Sequence, residues 1–331
     1  MKVVVLLGGP SAEREVSLAS GRAVAESLER LGHAVVEIDP SSVEESGATP
    51  GHLSFLGAPG FLGCDAVFVA LHGEVGEDGR VQAVLDLAGV PYTGSGALAS
   101  ALSMNKDLSK KIFLSQGIPT PEWVLLSGRG GSESDAGLGP PAPASLGGFP
   151  VVVKPNDQGS TIGLTIVKDE GEFAAAVRKA AGYSDEIMVE RYIPGREITV
   201  SVLGSEALPV VEIIPEGGLY DYTRKYTKGA SRYVVPAELD PDVETRVKDL
   251  GMRCFSALGC RGFGRVDIRL SPGNEVFCLE VNTVPGMTET SLVPMAAGAL
   301  GISFDEMIER ILASAGLDGP SQRGRSELKN L

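Results

Sequence analysis

Cysteine is scarce: four residues in 331, at positions 64, 254, 260 and 278, with no CxxC pair and no ligand-like spacing. That excludes a disulfide framework and a structural zinc site and fits reduced thiols. No apolar run reaches membrane length. The opening "MKVVVLLGG" is apolar only through Leu7 and then turns into "PSAERE", too short for a signal peptide and without its cleavage region. A soluble, cytoplasmic protein is expected. Excess positive charge is also missing. With a formal net charge of -14, the general attraction to nucleic acid or to an anionic membrane has the wrong sign. The basic residues are therefore expected to serve something small. Missing too are an internal repeat, the G-x-G-x-x-G fingerprint of a dinucleotide fold, and the Walker A loop.

What is present is enough apolar material, 43% of 331 residues, for two or three domains. Apolar runs at Val3 to Leu7, Ala34 to Ile38 and Ala66 to Leu71 alternate with helical stretches such as Ser17 to Leu31. This predicts a parallel sheet with crossover helices, with Ser11 as the cap of the first helix. Residues 127–148, "SGRGGSESDAGLGPPAPASLGG", are rich in Gly, Ser and Pro and read as an exposed loop that holds no core. Beyond it come "FPVVVKP", "EIMVERYI" and "REITVSVLG", a helix from about Asp242 to Leu258, and a hairpin. That half is predicted to be α+β, built largely of antiparallel strands.

The hairpin runs through "FGRVDIRLSPGNEVF" and "CLEVNTVPGM". Pro272-Gly273 suit the middle of a type II turn, a register that pairs Asp267 with Cys278 and Arg265 with Glu280. Alternation then puts Arg265, Asp267, Glu280 and Asn282 on one face, and Val266, Ile268, Phe277 and Leu279 on the other, over a core. Diagonal neighbours lie about 7 Å apart. The two carboxylates are thus close enough to share magnesium ions, which take oxygens at about 2 Å. For a lone hairpin, a solvated polar face with a surface ion pair is the favoured explanation.

Other segments bear on that choice. "VVVKPNDQGSTIG" ends a strand at Lys154 and follows it with a small-residue loop, Gly159 to Gly163, able to turn backbone N–H groups toward an anion or simply to close a β-hairpin. Lys106 in "SMNKDLSK" supplies a further cation. "MVERYIPGREITV" offers Glu190 and Glu197 on either side of main chain that could meet a purine edge, or a plain charged loop. Glu13 sits at a strand-end crevice where an ammonium group would suit it, or merely complements the helix dipole. His72 closes the strand "AVFVALHG".

Together "LLGGPSAEREVSL", "ALHGEVGEDG", "PYTGSGALASALSMNK", "YDYTRKY", "GRVDIRL" and "LEVNTVPGMTETSLVP" closely resemble the D-alanine:D-alanine ligases of the ATP-grasp superfamily, in order from about Lys2 to Ile311. The resemblance implies a three-domain fold. An N-terminal α/β substrate-binding domain would span 1–104, a central subdomain 105–197 and a C-terminal subdomain 198–315, with a frayed tail at 316–331. ATP would be bound between the last two domains. Asp267, Glu280 and Asn282 match residues holding two Mg2+ ions, for which Mn2+ can substitute. Lys106, Lys154, Gly159, Ser160, Glu190, Arg191, Ile193, Glu197 and Lys225 match ATP contacts. Glu13, Val16, His72, Lys225, Tyr226, Arg265, Ser291 and Leu292 match substrate contacts, and Glu13, Ser160, Tyr226, Arg265, Gly286 and Ser291 the catalytic set.

The implied reaction makes D-alanyl-D-alanine for peptidoglycan through an acyl phosphate, under a mobile loop at "DYTRKYTKGASRY". The implied assembly is a homodimer. One departure is Gly-Ser-Thr-Ile-Gly at 159–163, where many relatives have Gly-Ser-Ser-Val-Gly. The alternatives are a D-alanine:D-lactate or D-alanine:D-serine ligase and a non-catalytic nucleotide-binding regulator. Intact Arg265, Asp267, Glu280 and Asn282 speak against the regulator.

Overall fold

A computed structural model of the chain describes residues 1–42, 55–127, 142–215 and 231–318. Among the described residues the strands form three sheets. In the first, β1 (Lys2–Leu6), β2 (Ala34–Ile38) and β3 (Ala66–Val69) are parallel in the order β2-β1-β3, with helix α1 (Arg14–Arg30) crossing between β1 and β2. Val3 to Leu6 are fully buried because both faces are covered, which is why β1 reads as a continuous apolar run. Val3 and Val5 meet Val24 and Leu28 of α1, while Val4 and Leu6 meet Phe55, Phe61 and Leu85. Ser11 is not the cap. Glu13 holds that position, and Ser11 Oγ instead accepts from the Glu13 N–H (3.2 Å) and donates to the His72 carbonyl (2.6 Å).

Helices α2 (Glu74–Glu77), α3 (Arg80–Ala88), α4 (Ala97–Met104) and α5 (Lys106–Ser115) lead to the second sheet, with Asn105 capping α5 through its side chain. That sheet holds β4 (Trp123–Ser127), β5 (Val151–Pro155), β6 (Thr165–Val167) and β7 (Glu186–Arg191), antiparallel throughout in the order β4-β7-β5-β6. The short α6 (Ala142–Ser145) precedes β5, and α7 (Glu170–Ala181) packs Phe173, Ala176 and Ala180 onto the sheet. Part of the segment predicted as a coreless loop departs from that expectation: residues 142–145 are helical, and Leu146 is buried in this core. Residues 128–141 of the segment lie outside the described residues.

The third sheet comprises β8 (Arg196–Leu203), β9 (Glu206–Ala207), β10 (Val211–Pro215), β11 (Ser231–Val234), β12 (Phe263–Leu270) and β13 (Val276–Asn282). Its order is β11-β10-β8-β12-β13, with β9 beside β8. Helix α8 (Pro241–Ala257) covers one face, setting Val243, Val247, Leu250 and Cys254 against Val200, Val266 and Ile268. After β13 come α9 (Leu292–Gly298) and α10 (Phe304–Ala313). Leu203, Phe263, Val293 and Met307 join Val3 and Leu28 in one core, so the first and third sheets share their hydrophobic interior. The chain end is tied down further than expected. Tyr92 and Gly316 exchange backbone hydrogen bonds (3.2 and 3.0 Å), and Leu317 packs near Tyr92; of the expected tail, 319–331 lie outside the described residues. No described helix is long and apolar enough to cross a membrane.

Candidate active site

The hairpin of β12 and β13 builds one wall. Its turn is not type II: Gly273 is not among the residues with positive φ, and Asn274 (φ 60) takes that conformation instead. The register also differs from the expected one. Arg265 pairs with Asn282 and Asp267 with Glu280, and then a bulge shifts the ladder so that Ile268 faces Cys278. Leu279 is the extra residue. Arg265, Asp267, Glu280 and Asn282 keep their common face, but the core beneath is made by Val266, Ile268, Cys278 and Val281 rather than by Phe277 and Leu279. Leu279 lines the cavity instead.

Each oxygen donor on that face already meets a positive or polar group. Arg265 grips Asp267 through two hydrogen bonds (2.7 and 2.8 Å), Lys106 Nζ lies 3.2 Å from Glu280, and Asn282 Oδ1 accepts from the Val284 N–H (3.0 Å). Among the described residues, no group of three or more His, Cys, Asp or Glu side chains forms a metal site. The candidate set is two carboxylates and an amide oxygen, hard donors that suit magnesium. Two carboxylates that both attract cations fit the presence of such an ion.

A cavity of about 370 Å³ opens between the second and third sheets. Lys154, Glu190 and Arg191 of the second sheet line it, as do Glu197, Arg265, Asp267 and Glu280 of the third, with Lys106, Ile193 and Leu292 from neighbouring segments. The ends of β7 and β8 bring Glu190 and Glu197 there, and Arg269 holds the chain between them by donating to the carbonyls of Ile193 (3.2 Å) and Gly195 (2.9 Å). Arg269 also lies 3.5 Å from Glu197. Arg191 is stacked over the Phe277 ring at 5.8 Å. A smaller pocket of about 30 Å³ shares Lys106 and Glu280 with the cavity and adds Glu13, Gly159, Ser160 and Asn282. There Ser160 Oγ donates to the Glu13 carboxylate. A Cβ at Gly159 or Gly73 would stand 3.2 Å from Glu13 Oε2, so both glycines lie close against that carboxylate. Ser160 and Thr161 adopt positive φ (52 and 62), a strained conformation of the kind that clusters at ligand sites.

Residues 112–313 match the family described as the D-ala D-ala ligase C-terminus, and residues 54–95 the D-ala D-ala ligase N-terminus. The D-alanine--D-alanine ligase of a Synechococcus species is 47% identical over 95% of this chain and 93% of its own. That of Moorella thermoacetica is 46% identical over 94% and 98%. The chain belongs to the D-alanine–D-alanine ligase family. Its fold agrees: a solved D-alanine--D-alanine ligase from Bacillus anthracis, complexed with ATP, superposes with a TM-score of 0.78 at 32% identity, covering 99% of each chain. The VanG D-Ala:D-Ser ligase of Enterococcus faecalis gives 0.76 at 31% identity, over 94% of this chain and 98% of that one. The parallel-sheet α/β unit followed by two antiparallel units around a cavity is the ATP-grasp architecture.

Some residues picked out by the family resemblance stand back from both cavities. Val16 is half-buried on α1, and His72 is buried with Nε2 3.1 Å from Ser20 Oγ and Nδ1 3.5 Å from Glu77. Ser20 Oγ in turn accepts from the Met287 N–H (3.1 Å), which links His72 to the loop after β13. Gly286 and Ser291 belong to that loop, where a Cβ at Gly286 would lie 3.0 Å from Ser291 Oγ. Lys225 and Tyr226, with the "DYTRKYTKGASRY" segment up to Ala230, lie outside the described residues. Sequence reasoning missed Lys110, which is fully buried 2.7 Å from Glu190. Its spacing of four from Lys106 on α5, which puts both on one helical face, was the available signal.

Proposed function

We propose that this chain joins two D-alanine molecules into D-alanyl-D-alanine using ATP, releasing ADP and phosphate, as a step toward peptidoglycan. The observation that supports it best is the convergence of Lys106, Lys154, Asp267, Glu280 and Arg265 on one cavity beside the pocket of Glu13 and Ser160. In this reading the ATP phosphates lie along Lys106, Lys154 and the loop of Gly159 and Ser160. Base and ribose lie along the main chain from Glu190 through Arg191 and Ile193 to Glu197.

Glu13 takes the ammonium group of the first D-alanine, with Val16 and His72 behind it. A carboxylate oxygen of that substrate attacks the γ-phosphorus, and the bond from phosphorus to the bridging oxygen breaks to release ADP. The amine of the second D-alanine attacks the acyl carbon, loses a proton, and phosphate leaves. Arg265 and the N–H of Gly286 stabilise the oxyanion formed there, while Lys225, Tyr226, Ser291 and Leu292 receive the second substrate. Asp267, Glu280 and Asn282 would hold magnesium or manganese, which neutralises charge on the phosphoryl oxygens.

The three units are assigned to 1–104, 105–197 and 198–315, and the enzyme to the cytoplasm as a homodimer. The test is phosphate release from ATP and Mg2+ with D-alanine, followed by mass spectrometry of products with D-alanine, D-serine and D-lactate in competition. D-alanine-dependent phosphate release with D-alanyl-D-alanine as the main product is expected. Its absence overturns the reading, and a dominant mixed product would move the chain to the D-serine or D-lactate class.

A further inference from the structure

Glu190 is buried on β7, opposite Trp123 and Val152 on the neighbouring strands, and its carboxylate lies between two ammonium groups. Lys154 Nζ is 2.9 Å away and lines the cavity. Lys110 Nζ is 2.7 Å away, fully buried and absent from the cavity lining.

Hydrogen-bond bookkeeping fixes the state of Lys110. Its Nζ donates to Thr120 Oγ1 (2.6 Å) and to the Pro121 carbonyl (3.0 Å) besides meeting Glu190. Thr120 has already committed its own hydroxyl proton to the Cys278 carbonyl (2.8 Å), so both hydrogen bonds take protons from the lysine, and its third contact is a carboxylate oxygen, which an amine lone pair would repel. Two donated bonds and an anion against the remaining side describe an ammonium. The Trp123 ring, 5.2 Å from Nζ, adds a further favourable contact for a cation. Burial would raise the Glu190 carboxyl, but the Lys110 and Lys154 ammoniums hold it below its usual value. Burial draws Lys110 itself down, against the pull of Glu190.

We infer that Lys110 is a positioning residue for ATP: it neutralises Glu190 from behind, so that the charge of Lys154 is left to the nucleotide phosphates. Two ammoniums against one carboxylate leave a net single positive charge, and its cavity-facing member is Lys154. Without Lys110, Lys154 and Glu190 form a neutral pair, and the cavity wall loses one of its positive charges for a polyanion while Lys106 stays in place. In a buried setting such a charge is screened little. This rests on the ATP reading above and adds a residue that never touches the nucleotide.

The experiment is calorimetric titration with ATP and with adenosine, in Mg2+, of the wild type, Lys110→Met and the double variant Lys110→Met/Glu190→Gln. A charge effect scales with the phosphates. Lys110→Met should weaken ATP by about ten-fold or more while leaving adenosine within about two-fold. The double variant again carries one unpaired ammonium, so whatever the change at Glu190 costs the base contact, which ATP and adenosine share, its ATP-to-adenosine affinity ratio should return to that of the wild type. Equal losses for ATP and adenosine, no loss for ATP, or no recovery of that ratio in the double variant would each overturn the inference. Should Lys110→Met fail to fold, the double variant decides, since a wild-type ratio of ATP to adenosine affinity is required of it. A wild type that binds no ATP overturns the ATP reading itself, and this inference with it.

Discussion

At the scale of single residues, Glu280 is the sharpest test of the proposed metal role. Its side chain is partly exposed and paired with the buried Lys106, whose ammonium also donates to the Gln158 carbonyl (2.7 Å) and so keeps a partner when the charge is removed. Glu280→Gln should therefore lower ATP turnover by about a hundred-fold or more through a lost charged ligand, with a melting temperature within a few degrees of the wild type. Unchanged magnesium dependence in that variant would remove the assignment. Asn282→Asp, which keeps an oxygen donor, should lose less. Asp39 makes a different prediction. Burial would raise its carboxyl, but hydrogen bonds from Arg14, Gly9 and Ser41 outweigh that and hold it below the usual value. It packs so closely on Gly8, itself at φ +76, that a Cβ there would stand 2.6 Å from its Cγ. A depressed native pKa gives stability that is present above the unfolded value, about 3.9, and lost as pH falls through the native one. Asp39→Asn should cost about 1–2 kcal/mol at pH 6. In urea unfolding at successive pH values the gap from wild type should close below about pH 4; a gap independent of pH would refute the assignment.

At the scale of elements, Leu146 shows where composition misled. The Gly, Ser and Pro content of 127–148 predicts an exposed loop, yet Leu146 enters the core with Val151, Phe173 and Val189. Leu146→Ala should destabilise by about 2–4 kcal/mol, as buried leucines do, and a change below about 0.5 kcal/mol would show that the site collapses freely. The strands and α1 were legible because apolar spacing reports which faces are covered. The polar face of the hairpin was legible for the same reason, since alternation keeps Arg265 with Asp267 and Glu280 with Asn282. Which residue of β13 bulges was not. Leu279 takes that place through pairing with β12, and nothing local distinguishes it from Phe277. Lys110 was hidden likewise. Its burial depends on Glu190, Thr120 and Pro121 arriving from a different sheet and loop, whereas Lys106 and Lys154 stood beside recognisable motifs.

At the scale of the whole molecule, the arrangement of cores sets how the protein should unfold and what ATP should do to it. The first and third sheets share one interior, in which Val3 and Leu28 meet Phe263, Val293 and Met307. The second sheet has its own smaller core around Val151, Phe173 and Ile187. Cooperativity follows shared cores, so calorimetry should resolve two transitions, the second sheet melting first. The candidate nucleotide cavity lies between that sheet and the third. A ligand bound to the folded state alone stabilises by about 2.7 kcal/mol at a hundred times its Kd. Since binding ATP needs the second sheet intact, ATP with Mg2+ should raise the lower transition toward the upper and merge them. Leu146→Ala, applied without nucleotide, should lower the first transition and leave the second in place. A single transition in the free protein that Leu146→Ala moves as a whole would show instead that α5 and the Lys110–Glu190 contact bind the second sheet to the rest tightly enough for all three to unfold as one.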